Sequence, residues 1–423
     1  MKKRIALLGA GTVGSGVYRL IEENGALMAE NHGVDIEVAK ILVRDLNKEH
    51  PGVPRELLTD DIEAILSDAS IVLVAEAMGG TEPALDYALR TLAAKKCFVT
   101  ANKELISKHF ELLERTARDN NVGMYFEPSV AGAIPVIKAL TDSLAANRIL
   151  SLMGIINGTT NYILSKMSQE GLDFEVALAQ AQALGYAEPD PTNDVEGYDA
   201  RFKLAILASL AFKCRVFVDD VLCEGISTIT AEDMSIARDL GYSIKLLAIG
   251  KMEGETVQVR VHPTMIPLAH PLSSVNGPFN AVFINASAAG EMMFYGRGAG
   301  DMPTASAMVG DILHALMQTS RRRYNWAWED ARPANVATDW QSAFFIHTSA
   351  VDEPRVLGRV AGILGDFDVS IEAVMQRGNA GPDGRVPVVF ITHATSEKAC
   401  MNAIEEIKKL KIIRVVSIIR VEK

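Results

Sequence analysis

Cysteine is scarce and scattered in this chain: Cys97, Cys214, Cys223 and Cys400, with no C-x-x-C pair among them. That spacing excludes a disulfide framework and the common zinc patterns, and it fits a reducing compartment. Long apolar runs are missing as well. No stretch approaches the ~18 apolar residues of a membrane span. Behind Met1-Lys2-Lys3-Arg4 the apolar run covers only residues 5–8, too short for a secretory h-region. The histidines form no H-E-x-x-H spacing, and no G-x-S-x-G elbow appears. Cys97 and Cys214 have no histidine nearby, so they read as buried structural thiols rather than nucleophiles. Basic charge is in deficit, with 42 Lys+Arg against 53 Asp+Glu and a net charge of −11. That balance argues against nucleic-acid and anionic-membrane partners. A soluble cytoplasmic protein is the expectation.

What is present is ample core material. The chain has 423 residues, 48% of them hydrophobic, enough for two or three domains at roughly 150 residues each. The spacing predicts strands at 4–8, 36–43, 71–75, 98–100 and 122–126. They alternate with helices at 12–23, 62–67, 82–94 and 105–120. Strands alternating with helices predict βαβ units and a parallel sheet covered on both faces. Further on, helices are predicted at 133–144, 161–169, 174–184 and 199–212, with a strand at 149–156. Strands at 257–262, 281–286 and 292–295 suggest an antiparallel sheet. Two prolines in the 185–194 loop predict no helix before Val195. Residues 321–343 hold all three tryptophans and no clear periodicity, and read as an ordered connector. The remainder shows strand (344–349), helix (356–366), strand (369–376), a glycine-rich hairpin (378–384), strand (386–394), helix (398–410) and strand (412–421), a βαββαβ order.

The fold class is therefore α/β. A Rossmann-type doubly wound parallel sheet spans 1–132, completed by a helix at about 300–320. A mixed α/β domain spans 133–299, and a ferredoxin-like βαββαβ domain spans 344–423.

Gly9-Ala10-Gly11-Thr12-Val13-Gly14 is a G-x-G-x-x-G run set between a strand and a helix. In that setting Gly9 makes the tight turn, Gly11 lets a pyrophosphate approach the backbone, and Gly14 lets the helix pack closely. At the end of the second strand stand Arg44 and Asp45. An acid there binds a ribose 2′-hydroxyl and an arginine a 2′-phosphate; Arg44 comes first and favours NADP over NAD. Gly79 and Lys103 lie where two later strands end, facing a cofactor crevice. Acids crowd the segment from Gly185 to Lys203: Glu188, Asp190, Asp194, Glu196 and Asp199. Asp199 and Lys203 are four apart and share a helix face. A lysine beside a carboxylate can shuttle a proton; on spacing alone, a solvated acidic loop is the simpler reading.

These residues, with Val99-Thr-Ala-Asn-Lys103, Asn157-Gly-Thr-Thr-Asn-Tyr-Ile163, the 185–203 run and Gly296-Arg-Gly-Ala-Gly-Asp-Met-Pro-Thr304, resemble the homoserine dehydrogenase family end to end. The resemblance is to its single-function bacterial type, with a C-terminal ACT domain. It implies reversible hydride transfer between L-aspartate 4-semialdehyde and L-homoserine, using NADP or NAD, in threonine, methionine and isoleucine biosynthesis. It implies Lys203 as proton donor and acceptor, and Lys103 as a second lysine near cofactor and substrate. Glu188, Asp194 and Asp199 become substrate-side carboxylates, and Asp199 also joins the two lysines in the catalytic set. Ala10, Thr12 and Val13 become pyrophosphate contacts, and Gly185 and Gly300 lie near the nicotinamide. Glu127, Val130, Gly132 and Ile134 become a structural sodium site, mostly through backbone carbonyls. A homodimer or homotetramer is implied. Threonine is the expected effector, although Asp352-Glu-Pro-Arg355-Val-Leu357 carries arginine where ACT domains usually have glycine. Two other readings are an amino-acid sensor with a vestigial nucleotide fold and an aspartate-semialdehyde dehydrogenase. The second needs a well-placed cysteine.

Overall fold

The computed structural model describes residues 2–317, 334–376, 381 and 384–422. Residues 321–333 of the connector and the tip of the 378–384 hairpin lie outside them. The chain divides into two compact units. The first comprises Met1–Leu152, Phe202–Val221 and Asn280–Ala334; the second Met153–Arg201, Leu222–Phe279 and Asn335–Lys423.

Six parallel strands build the main sheet of the first unit. Their order is Leu58–Thr59, Ile36–Leu42, Lys3–Leu8, Ile71–Glu76, Cys97–Thr100, Met124–Tyr125. The order reverses between Lys3–Leu8 and Ile71–Glu76, and ligands of such sheets bind at the carboxyl ends of the strands at that point. Strand alternation sets the layers: Ile5 and Leu7 enter one core, Ala6 and Leu8 the other. On the first face Val17, Tyr18 and Ile21 of helix Thr12–His32 pack with Ala305, Met308, Val309 and Ile312 of helix Asp301–Met317. A Cβ on Gly16 would lie 2.1 Å from the Asp301 carboxylate and 3.2 Å from Ala305 Cβ, so the glycine permits this close approach. Arg19 pairs with Asp301 at 2.6 Å beside it. On the other face Ile65 and Tyr87 close the second core.

The predicted helix at 133–144 is broken. A short turn, Val136–Lys138, is followed by a π-turn at Ala139–Ser143. Pro135 at its start cannot extend an upstream helix, and Ala131 and Gly132 just before it have φ of 57° and 53°. A helical turn at Thr192–Val195 overturns the expectation of no helix before Val195. Pro191 stands immediately before it, where a proline's missing N–H costs nothing. The Asp190 carboxylate accepts the Thr192 N–H (3.1 Å) and hydroxyl (2.6 Å).

The second unit is organised by a long hairpin, Tyr242–Glu253 with Thr256–Pro267. Residues 257–262 lie in its predicted half; the other half is buried from Ile244 to Gly250 and, but for Lys245, apolar on both faces, so it shows no alternation. Thr256–Pro267 runs parallel to the last strand, Ile413–Val421. The sheet continues through Gln341–Val351, Arg385–Thr392 and Ile371–Gln376. With helices Val356–Asp366 and Glu397–Lys408, these four strands make the βαββαβ arrangement, all neighbours antiparallel. Its core holds Phe344, Ile346, Val360, Leu364, Phe390 and Ile404.

Arg355 adopts φ 78° at the start of helix Val356–Asp366. That conformation suits glycine and costs another residue on the order of 1 kcal/mol. Arg355→Gly should therefore raise stability by about 1 kcal/mol in urea unfolding; unchanged or lower stability would mean that the arginine side chain makes compensating contacts.

Candidate active site

In the first unit, the glycine turn meets the first helix without a side-chain cap or an acid in the first turn. The helix N-terminus therefore presents free N–H groups and a positive dipole end. Gly9 has φ 104°, and a Cβ on Gly14 would lie 2.0 Å from the Gly9 carbonyl oxygen. A Cβ on Gly11 would meet nothing within 4 Å. Two glycines thus serve the turn and its packing, and the third leaves open backbone. Thr12 is exposed and Val13 half-buried on the same first turn. A cleft of about 500 Å³ opens here, lined by Gly9, Ala10, Gly11, Arg44, Asp45, Lys48, His50, Met78 and Tyr87 among others. A dinucleotide fits this donor set: open backbone and a helix N-terminus for a pyrophosphate, and a polar rim where Arg44 and Lys48 stand with Asp45 and Asp60. The His50 ring Nδ1 lies 3.0 Å from the Ala10 carbonyl and ties the rim to the glycine turn. Lys48 and His50 were not singled out from sequence, although the cluster of bases directly after the second strand is a readable signal.

The neighbouring strand ends are organised by Glu76, which is fully buried. Its carboxylate accepts the N–H groups of Met78 (2.6 Å) and Gly79 (3.2 Å) and the Thr100 hydroxyl (2.6 Å). Burial raises its carboxyl above the usual range, while those donors pull it back. The Thr100 hydroxyl accepts the Asn102 N–H, and the Asn102 amide donates to the Gly80 carbonyl. Asn102 then caps helix Lys103–Asp119 by accepting Leu105 N–H. Gly79 (φ 75°) and half-buried Lys103 are thereby held at adjacent strand ends. Gly300, with φ 119°, is exposed just before helix Asp301–Met317.

The second unit gathers the acids. Asn157 caps helix Gly158–Glu170 by accepting Thr160 N–H at 2.8 Å. The same side chain donates to Asp194 at 2.7 Å and to Asp199 at 2.9 Å. Asp199 is buried and Asp194 half-buried. One amide therefore holds two carboxylates from separate segments, overturning the solvated-loop reading for this pair. The Thr159 hydroxyl donates to the Tyr186 carbonyl and pins the loop after exposed Gly185 (φ 74°). Glu188 is exposed, its backbone carbonyl accepting the Gln182 amide. Lys203, half-buried, stands one turn beyond Asp199 on helix Tyr198–Phe212. Asn157 had no assigned role from sequence; an asparagine directly before Gly-Thr-Thr is an N-cap signal, but its long-range partners are not. Beneath the helix that Asn157 caps, buried Lys245 donates to Asn161 (3.3 Å), Asn276 (3.1 Å) and the Val275 carbonyl (2.6 Å). Burial lowers its ammonium to about 8.

Around the proposed ion site, Glu127 is buried and its two carboxylate oxygens accept Ile137 and Lys138 N–H groups, each at 2.8 Å. Burial first, then neighbouring Asp311, raise its carboxyl to about 7. The carboxylate is committed to the backbone. Among the described residues, no group of three or more His, Cys, Asp or Glu side chains could hold a metal. Nor is any helix there long and apolar enough to cross a membrane. Cys97 and Cys214 are half-buried, not buried as expected. Burial pushes the Cys214 and Cys223 thiols up to about 11, which leaves them poor nucleophiles at neutral pH.

A model of the NAD-binding domain of homoserine dehydrogenase matches residues 9–127, and one of homoserine dehydrogenase itself matches residues 135–313. The chain is 41% identical to homoserine dehydrogenase of Helicobacter pylori, over 98% of this chain and 97% of that one. It is 42% identical to the Corynebacterium glutamicum enzyme, over 99% and 95%. The crystal structure of a homoserine dehydrogenase from Thiobacillus denitrificans superposes with a TM-score of 0.94 at 36% identity, covering 100% of this chain and 99% of that one. A hyperthermophilic archaeal homoserine dehydrogenase in complex with NADPH gives 0.65 at 25% identity, covering 76% and 100%. The chain belongs to the homoserine dehydrogenase family of NAD(P)-dependent oxidoreductases.

Proposed function

We propose that the chain reversibly reduces L-aspartate 4-semialdehyde to L-homoserine, a step of threonine, methionine and isoleucine biosynthesis. The observation that carries this reading is the buried Asp199 carboxylate, held with Asp194 by Asn157, one helical turn before Lys203. Carboxylates of this kind grip the α-ammonium group of an amino-acid substrate, with Glu188 as a third acid on the mouth of the loop. When bound, the nicotinamide cofactor gives or takes the hydride. Lys203 donates a proton to the aldehyde oxygen as negative charge develops there, and takes it back in the reverse direction. Lys103 adds positive charge on the cofactor side. Glu76, Thr100 and Asn102 orient Lys103 through its helix start.

NADP is the favoured cofactor. Arg44, Lys48 and His50 line the cleft, whereas the Asp45 carboxylate already accepts Asn47 N–H at 2.8 Å. Homoserine oxidation by purified protein, run with NADP and NAD in parallel, tests both points. Turnover is expected, faster with NADP. Arg44→Ala should raise the KM for NADP about tenfold or more, the loss of one charge-assisted phosphate contact, and leave NAD nearly unaffected. Folded, nucleotide-binding protein without turnover would refute the reaction. Equal effects on both cofactors would refute the role of Arg44.

The βαββαβ segment reads as an ACT domain that binds threonine. A cavity of about 180 Å³ lined by Asp352, Arg355, Leu357, Gln376 and Val388 supports this. Rates unchanged by added threonine would leave a purely structural domain. Exposed Met293 and Tyr295 on strand Gly290–Arg297 support a homodimer or homotetramer. The left-handed pair Ala131–Gly132 supports a sodium ion on the carbonyls of Glu127, Val130, Gly132 and Ile134. Light scattering and melting curves in sodium against choline chloride read these last two points.

A further inference from the structure

Arg420, on the last strand, is among the most deeply buried charges in the protein, 1% exposed. Its guanidinium forks onto Glu224, with Nη1 on one carboxylate oxygen and Nη2 on the other at 2.7 Å. Nε and Nη2 also reach Glu397, in the first turn of helix Glu397–Lys408. Beside it, buried Arg260 pairs with Glu422 at 2.7 Å, and Lys251 reaches the other oxygen of Glu422 at 2.7 Å. The βαββαβ segment is thus joined to residues before 280 by ion pairs built on two buried guanidiniums, with Glu224 partly exposed.

Glu224 is not an isolated anchor. Its N–H donates to the Val261 carbonyl at 2.8 Å, which lays residues 222–224 along the long hairpin. The residues on either side of it grip the turn at 195–197. Cys223 Sγ donates to the Glu196 carbonyl at 3.3 Å, and Ile226 N–H to the Val195 carbonyl at 2.8 Å. A Cβ on Gly225 would lie 2.4 Å from the Val195 oxygen and 2.6 Å from Glu196 Cα. A Cβ on Gly197 would lie 3.1 Å from Cys223 Sγ. There is no slack between the two segments. That turn is what separates Asp194 from Asp199, the two carboxylates on Asn157.

We propose that Arg420 and Glu224 form a strut that positions the Asp194–Asp199 turn, so that the last strand of the chain sets the affinity for the amino-acid substrate. Neither residue touches substrate; both are positioning residues. The inference rests on the reading of Asp194 and Asp199 as substrate carboxylates. The geometry gives it a direction. Loosening the strut lets the two carboxylates drift with respect to Asn157, which weakens substrate binding and leaves the nucleotide cleft untouched.

The test uses the full chain and steady-state kinetics with homoserine and NADP varied separately. In Glu224→Gln, Arg420 keeps Glu397 as a partner, so folding is retained, and equal melting temperatures check this. The expected result is a KM for homoserine about tenfold higher, a kcat within about threefold, and an unchanged KM for NADP. Arg420→Lys loses the fork, and the double variant should be no worse than the more damaging single one, because the two residues act as one unit. Should Arg420→Lys fail to fold, Glu224→Gln carries the test alone. An unchanged KM for homoserine in folded Glu224→Gln, or equal rises in both KM values, overturns the strut while the reaction stands. No turnover by the wild type overturns the substrate reading, and the strut with it.

Discussion

Lys203→Ala is expected to lower kcat by about 10²-fold or more, the usual contribution of a positioned acid or base. The fold should tolerate the change. Lys203 is half-buried, and the helix behind it is anchored by Leu204, Leu207 and Ala208, all fully buried. Lys203→Arg should be nearly as damaging, because a guanidinium keeps the charge but does not release its proton at working pH. If charge alone mattered, arginine would restore the rate. Pre-steady-state hydride transfer, followed at 340 nm with nucleotide affinity measured in parallel, separates lost chemistry from lost binding. Near-wild-type turnover of the alanine variant would remove Lys203 from the proton-transfer role.

Gly14→Ala should be the most damaging single change in the nucleotide cleft. Its Cβ would lie 2.0 Å from the Gly9 carbonyl oxygen and 2.9 Å from the Gly9 carbonyl carbon. Backbone cannot yield as a flexible side chain does, so the helix must move off the turn. Overpacking of this kind costs about 1–3 kcal/mol, or roughly 5- to 150-fold in an equilibrium constant. Both the melting temperature and the affinity for NADP should fall. Gly11→Ala supplies the contrast. Its added methyl meets only open space in the free protein, so stability should hold while the affinity drops. Isothermal titration and thermal melting on both variants check the pair. If Gly14→Ala kept its affinity, Gly14 would not be the packing glycine of the turn.

The first unit was largely legible in the sequence, and the reason is physical. Its strands are short apolar runs between helices with one apolar face, so local patterning carries the βαβ order, and the glycine run falls where strand becomes helix. Legibility failed where burial is two-sided or where a contact spans the chain. The strand Tyr242–Glu253 lacks alternation because most of it is buried. Helix Ala231–Asp239 went unread although Thr230 and Asp233 form a capping box, a signal available from sequence. The acids Asp194 and Asp199 were visible as composition. What makes them a site is Asn157, 37 and 42 residues away, and no local pattern reports such distances. Glu76 was equally opaque: a carboxylate in an apolar strand end shows its purpose only once Thr100 and the 78–80 backbone turn toward it.

The helix Asp301–Met317 lies against the first helix of the chain, within the core that also holds Ile5 and Leu7. During synthesis the apolar flank of Thr12–His32 therefore leaves the ribosome long before its cover exists. At about 5–20 residues per second, the stretch from Ile21 to Asp301 takes roughly 15–60 s to emerge. For that interval Val17, Tyr18 and Ile21 are a sticky surface on a nascent chain. The flank needs shielding until then, and a fragment ending before residue 301 should be prone to aggregate.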